Sequence, residues 1–170
     1  YLSQAQRIAH VGSCEWDIRT KTMSWSDEVF RIYGDPPQSY QPTPGVFLTK
    51  VHKEDRREVK RAVEAALAGK SDYSMEFRIR RSNGETRIVH GQGEVVYDDA
   101  KRPVQMLGTI QDITEQRESL RALQASEERF RDLAENINEV FWLVTPDWNE
   151  TLYISSAYER LWGESLESIY

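Results

Sequence analysis

The sequence holds a single cysteine, Cys14, among 170 residues. That excludes an intramolecular disulfide and leaves any thiolate zinc site without its other ligands. Cys14 lies in the apolar-rich run "GSCEWDI", where a buried structural thiol is the favoured reading. So little cysteine fits a reducing, cytoplasmic compartment. No apolar stretch approaches the roughly 18 residues of a spanning helix, and no signal-peptide core is present. The first residue is Tyr rather than Met, so we expect a piece of a longer protein; the missing span describes this piece and not its parent. Dense Lys/Arg runs are missing too and the formal net charge is −6, which argues against a nucleic-acid partner. No Walker A, G-x-S-x-G or H-E-x-x-H motif occurs, and "GQGEVV" lacks the third glycine and following helix of a dinucleotide fingerprint. No histidine stands in a phosphoacceptor-like context. Glu54-Asp55 and Asp98-Asp99 fall at a helix start and a turn tip, positions expected to be solvated. We expect no catalytic residue and no metal site.

What is present is a globular composition, 39% apolar, 29% charged and 11% aromatic, long enough for one domain plus something more. Residues 3–10 read as a short helix, and "SCEWDI" and "MSW" as strands joined by a turn. Ser26, with acids in the first turn and Gly34 past the end, marks "SDEVFRIYG" as a capped helix. After a proline-rich interruption, "PGVFLTKV" reads as a helical turn and "HKEDRREVKRAVEAALAGK" as a helix with the apolar stripe Val59, Val63, Ala66 and Leu67. Then Tyr73, Met75, Phe77 and Ile79 alternate with polar residues, the period of a half-buried strand. Asn83-Gly84 turns the chain into "TRIVHGQGEVVY", and "DDAKRP" leads to "VQMLGTIQDI". Helices set between groups of antiparallel strands indicate an α+β domain.

The last strand runs into a helix with no glycine or proline between them. A heptad phased on Ile113 places Gln116, Leu120, Leu123, Glu127, Phe130, Ala134 and Ile137 on one seam, with Leu120, Leu123, Phe130 and Ile137 its apolar anchors. A marginal coiled coil and an amphipathic helix packed on its own domain are equally good readings. Beyond it the chain repeats itself: "WSDEVFRIYG" (25–34) aligns without gaps on "ISSAYERLWG" (154–163), matching Ser26 with Ser155 and Gly34 with Gly163. "CEWDI" matches "EVFWLV" when the second turn is allowed three more residues. We therefore expect a domain over 1–114, a helical linker over 115–138, and over 139–170 the cut-off opening of a second copy whose leading helix overlaps the linker from about 126.

"GSCEWDI", "MSWSDEVFRIYG", "VHKEDRREV", "MEFRIRRSNGETRIVHGQGEVVYDD" and "VQMLGTIQDITEQRE" resemble, in order and spacing, a PAS domain with its trailing PAC segment. The variant resembled opens its second helix cluster with a His-Pro-Glu-Asp-Arg-like motif and ends in Asp-Ile-Thr; Lys53 stands where proline is common. The resemblance covers residues 1 to about 117, and again about 126 to 170. It implies a five-stranded antiparallel sheet with helices on one face. It further implies a non-catalytic sensory or dimerisation module of a bacterial or archaeal protein, a sensor histidine kinase above all and a diguanylate cyclase as the alternative. Homodimerisation through helices and coupling to further PAS and output domains of the same protein follow from it.

Asp112 or Thr114 can accept bonds from the free N–H groups of the emerging helix, and Asp112 with Glu115 has capping-box spacing. The resemblance adds a coupling role for Asp112, Ile113, Thr114 and Glu115. It also implies that covalent flavin photochemistry would need a reactive cysteine on the helix before the long strands, whereas Cys14 is on the first strand. For haem, His52 reads as a surface or capping residue, His90 as a sheet-surface residue, and His10 is uninformative. A small apolar or mixed ligand is left open, since Gly91, Gly93 and Gly108 remove side chains from the sheet. The candidate lining is Trp25, Phe30, Tyr33, Tyr73, Met75, Phe77, Met106 and Ile110; a core simply filled by these residues is the favoured alternative.

Overall fold

A computed structural model describes residues 8–136 and 139–166. Most of the helix expected over residues 3–10, and the seam residue Ile137, lie outside them. Two compact units divide at Arg117/Glu118.

In the first unit, Val11–Asp17 (β1), Thr22–Trp25 (β2), Tyr73–Arg80 (β3), Thr86–Tyr97 (β4) and Pro103–Asp112 (β5) form one five-stranded antiparallel sheet in the order β2-β1-β5-β4-β3. Each turn has a local cause. Asp17 accepts the N–H groups of Arg19 and Thr20 at 2.9 and 3.0 Å, and Asp98 those of Ala100 and Arg102 at 3.0 and 2.8 Å. Between β3 and β4, Asn83 Oδ1 takes the Glu85 N–H and Gly84 supplies φ 88°. Alternation then sends Phe77, Ile79, Val89, Met106 and Ile110 inward.

Three helices cover that inner face: Asp27–Tyr33 (α1), Pro44–Lys50 (α2) and Arg56–Leu67 (α3). Helix α1 lies hard against β1. A Cβ on Gly12 would sit 2.4 Å from Val29 Cγ2 and 2.7 Å from Val29 N, so only glycine permits the approach. Ser26 occupies the N-cap of α1, and its carbonyl accepts the Val29 N–H at 3.0 Å, but its side chain makes no cap bond. Its hydroxyl instead accepts the Ser13 N–H at 3.0 Å while its own N–H donates to the Ser13 carbonyl at 2.9 Å. Gly34, at φ 75°, ends the helix as expected. Trp25, Phe30, Tyr33 and Tyr40 pack ring to ring, with centroids 5.0 to 6.1 Å apart.

Two charged clamps hold the helical layer on the sheet. In the first, Asp55 accepts the backbone N–H of Arg78 at 2.8 Å and its Nε–H at 3.0 Å, while Arg78 also reaches Glu54 at 3.0 Å. The expectation that Glu54-Asp55 is merely solvated is corrected for Asp55: β3 is an edge strand, and the carboxylate satisfies an N–H that no neighbouring strand can take. The second clamp is Asp35, whose side chain is 8% exposed and lies 2.6 Å from Lys50 Nζ. Tyr40 donates to it at 2.6 Å and Ser82 donates to its other oxygen.

The second unit contains most of the helix Thr114–Asn136 (α4), a hairpin of Trp142–Val144 (β6) and Thr151–Ile154 (β7), and Ala157–Trp162 (α5). Its bonding repeats that of the first. Ser155 N–H donates to the Phe141 carbonyl at 2.7 Å, Ser155 Oγ accepts the Phe141 N–H at 3.0 Å, and Gly163 closes α5 at φ 75°. Cys14 faces Trp25 and Trp142 faces Ile154, so the second hairpin is longer by one residue rather than three, absorbed at the irregularity between Leu143 and Val144.

Burial pushes the Asp35 carboxyl up, but the bonds from Lys50, Ser82 and Tyr40 outweigh it and hold its pKa below the usual carboxylate value. Its contribution to stability is therefore complete above the unfolded pKa of ~3.9 and is lost as pH falls through the lowered folded value. Asp35→Ala is expected to cost about 3 kcal/mol in urea denaturation at neutral pH, because it strands the Lys50 ammonium. Below about pH 4, Asp35→Asn should lose stability less steeply than wild type; parallel acid slopes would contradict the assignment.

Candidate functional site

Strand register, rather than any single motif, creates the site. Across the inner face one row of neighbours runs Cys14, Gly108, Gly93, Tyr73 through β1, β5, β4 and β3. The two central members lack side chains, and Gly108 leaves no room for one against the strand beside it. A Cβ on Gly108 would lie 2.7 Å from the Gln92 carbonyl and 3.1 Å from Cys14 Sγ; on Gly93 it would lie 2.8 Å from Met106 Cε. The result is a trough in the sheet. Helices α2 and α3 roof it with Phe47, Leu48, Val63 and Leu67, leaving a partly open cavity of about 250 Å³.

Of the eight expected lining residues, Trp25, Tyr73, Met106 and Ile110 face the cavity. Phe30, Tyr33 and Phe77 are fully packed in the adjoining core, and Met75 is half-buried against it. Gly91 opens no space, because the Phe77 and Tyr73 rings lie 3.0 to 3.3 Å from where its Cβ would be. The wall also includes Cys14, Trp16 and Met23. The alternation of β1 and β2 points these residues inward, a signal that sequence reasoning left unused.

The wall is apolar, and a few polar atoms are stranded in the core beside it. Trp16 Nε1, Tyr33 Oη and Tyr73 Oη are buried without a hydrogen-bond partner. Burial pushes the Cys14 thiol up to about 11 and raises the Tyr73 phenol as well. Both remain protonated at neutral pH. None of the three histidines lines the cavity: His90 bonds Ser74 at 3.1 Å on the outer sheet face, His52 donates its backbone N–H to Arg78, and His10 is exposed. Among the described residues no group of histidine, cysteine and carboxylate side chains has metal-binding geometry.

The second part of the site is the junction of β5 with α4. Ile113, buried, donates its N–H to the Ile88 carbonyl at 3.0 Å and so extends the β4–β5 ladder to the foot of the helix. Thr114 is the first helical residue. Its hydroxyl accepts the Ile88 N–H at 2.9 Å and contacts Asp112 Oδ1 at 2.6 Å, and that same oxygen accepts the Thr114 N–H at 3.0 Å. Arg87 approaches the other Asp112 oxygen at 3.8 Å, and Arg117 in the first turn pairs with Glu76 on β3. The capping-box expectation is corrected here. The Asp112 N–H donates to the His10 carbonyl at 3.2 Å and not to Glu115, which is exposed in the first turn, at the positive end of the helix dipole. Further along α4, Leu120, Leu123 and Phe130 are exposed; Phe130 stacks edgewise on Phe141 and Tyr153.

A five-stranded antiparallel sheet that clasps helices about an internal cavity and ends in a helix rooted in its central strand defines a class of ligand-sized, helix-linked α+β domain. The chain belongs to the PAS fold family, whose sequence profile matches residues 22–110. It is 26% identical over 145 residues to a probable diguanylate cyclase, DgcE, of Escherichia coli K12, covering 81% of this chain and 12% of that protein. It is likewise 26% identical over 163 residues to the sensor protein FixL of Bradyrhizobium diazoefficiens, covering 94% of this chain and 31% of that one. Among solved structures, a sensory box histidine kinase/response regulator of Burkholderia thailandensis superposes with a TM-score of 0.63 at 27% identity, covering 77% of this chain and 98% of that chain. The chain thus spans under a third of the curated relatives it matches.

With its thiol pushed up to about 11, Cys14 should react with a maleimide at pH 8 at least about a hundredfold more slowly than a free cysteine. Labelling at the free-cysteine rate would show that the cavity wall is open to bulk solvent.

Proposed function

We propose that the first unit is a non-catalytic sensory module that reports the state of its cavity through α4 to an output domain of the same protein, a histidine kinase or a diguanylate cyclase. One observation carries this reading: the first residue of α4, Thr114, is bonded to both strands that carry the trough glycines, to Ile88 of β4 and Asp112 of β5. A change in the spacing of those strands therefore moves the root of the helix. One curated relative is named a probable diguanylate cyclase, the other a sensor protein, and the Burkholderia structure a sensory box histidine kinase/response regulator, which supports the choice of output. The repeated serine–strand bonding supports assigning residues 139–166 to the opening of a second PAS core. No helix among the described residues is long and apolar enough to cross a membrane, and we place this part of the protein in the cytoplasm.

Thr114→Val removes the hydroxyl while keeping the shape. In the intact parent protein it is expected to shrink the difference between the off and on output states at least about fivefold, by a coupling energy of ~1 kcal/mol, with cavity binding unchanged. An undiminished output range would rule the coupling role out. The second reading, a ligand-free dimerisation module, is favoured by the exposed seam leucines of α4. Sedimentation of the 170-residue chain tests it: a dimer that Leu123→Glu converts to monomer supports helix pairing, and a monomeric wild type refutes it.

A further inference from the structure

The outer face of the sheet carries a cluster that neither the cavity nor the bonds of Thr114 use. Phe77, Val89 and Ile110 point inward, so their neighbours Glu76, His90 and Gln111 point outward. The register sets His90 of β4 between Glu76 of β3 and Gln111 of β5. Side chains directly opposite each other have Cβ atoms ~5 Å apart. His90 is half-buried, and Ser74 Oγ lies 3.1 Å from its Nε2. Glu76 already has a partner in Arg117, from the first turn of α4. To reach it, Arg117 extends from the end of β5 past β4 to β3, so the tether spans the strand that carries His90.

Other charges near this face are engaged elsewhere. Arg78, next along β3, is taken by Glu54 and Asp55. Arg87 and Asp112 share the inward parity of Val89 and Ile110, and Glu115 lies with them beside Glu28 and Arg31. From β5 come the neutral Gln111 and Thr109, and from β4 itself Gln92. Glu94 stands four residues along β4, ~13 Å away at the usual strand rise. Among the described residues of the first unit, Glu76 is thus the carboxylate that both Arg117 and His90 can reach.

We propose that His90 is a pH-sensitive latch on the foot of α4. Neutral, it bonds Ser74 and leaves Glu76 to Arg117. Protonated, it carries charge and both ring nitrogens become donors. It then draws Glu76 toward itself and loosens the hold of Arg117. The two carboxylate oxygens could serve both donors only with guanidinium and imidazolium side by side, so each cation weakens the other's grip. The magnitudes suit such a device. Glu76 and Arg117 are each 40% exposed, and a pair so open to water is held weakly, so one neighbouring charge can shift it. The bonds of Thr114 to Ile88 and Asp112 are untouched and keep the helix rooted. Reference values for a glutamate carboxyl and an imidazole are about 4.3 and 6.5, so a pH range exists in which the imidazole is charged and the carboxyl is not yet neutral.

The latch acts on the first turn of α4 whatever the output; its effect on signalling rests on the relay proposed above, and the two are tested apart. In amide and arginine side-chain NMR of the 170-residue chain between about pH 8 and about pH 5.5, the Arg117 Nε–H and the Gln116 and Arg117 amides are expected to shift in step with the His90 ring. His90→Gln, which can still bond Ser74 but carries no charge, should abolish that shift. Glu76→Gln should leave the ring titrating and uncouple it from Arg117. Arg117 signals that stay still as His90 titrates, or that move as before in either variant, would overturn the latch. In the intact parent protein, output is expected to vary with pH over the same range and to lose that variation in His90→Gln. An output indifferent to pH, with the NMR coupling present, would count against the relay through α4 and leave the latch standing.

Discussion

The pairing of β1 with β5 is the contact on which everything else hangs. It joins the amino-terminal hairpin to the meander, from Val11 opposite Gln111 to Asp17 opposite Gln105. It sets Cys14 beside Gly108, and the β4–β5 register sets Gly93 on the other side. Slide either pairing by one residue and each inward side chain turns outward, so the trough exists only in this register. The same central strand ends in Asp112, the residue that anchors the first helical N–H of α4. Cavity floor and helix root are two positions on one strand, with no hinge between them.

The fold was largely legible because its strands are period-two and its turns carry their own chemistry. Tyr73 to Ile79 alternates without exception, and the glycine after each short helix, Gly34 and Gly163, takes the left-handed conformation its position suggests. The site was less legible, for a physical reason. Parity tells which residues face inward, but not which of those front a gap. Phe30 and Phe77 are as apolar as Trp25, yet they meet neighbours on every side while Trp25 faces the trough. That distinction depends on glycines from two strands falling side by side, a matter of tertiary register.

Polar side chains misled in a related way. Ser26 and Thr114 sit where helix caps belong, and both direct their oxygen to a strand N–H instead, that of Ser13 and of Ile88. Asp55 looks like a surface carboxylate in a charged run and serves an edge strand. In each case a backbone donor at the margin of the sheet lacked a strand partner and took the nearest acceptor, a more demanding need than that of a helix end open to water. The second unit shows the reverse situation. Trp142, Leu161 and Trp162 are 57, 60 and 61% exposed, whereas Ile32 and Tyr33, the first unit's counterparts of Leu161 and Trp162, are buried. Among the described residues no strand flanks β6 on the side that β5 takes beside β1.

The order in which the sheet is assembled has a consequence for synthesis. Strand β1 is the first strand of the domain to leave the ribosome, and its partner β5 is the last strand of the domain to be made. Until β5 arrives, the hairpin has one free edge and the helical layer has an incomplete floor, so closure is a late, non-local step. Because only Ile113 separates β5 from Thr114, the sheet is completed just as the first turn of α4 is added. A nascent chain passes through no stage at which a finished domain waits, unconnected, for its helix.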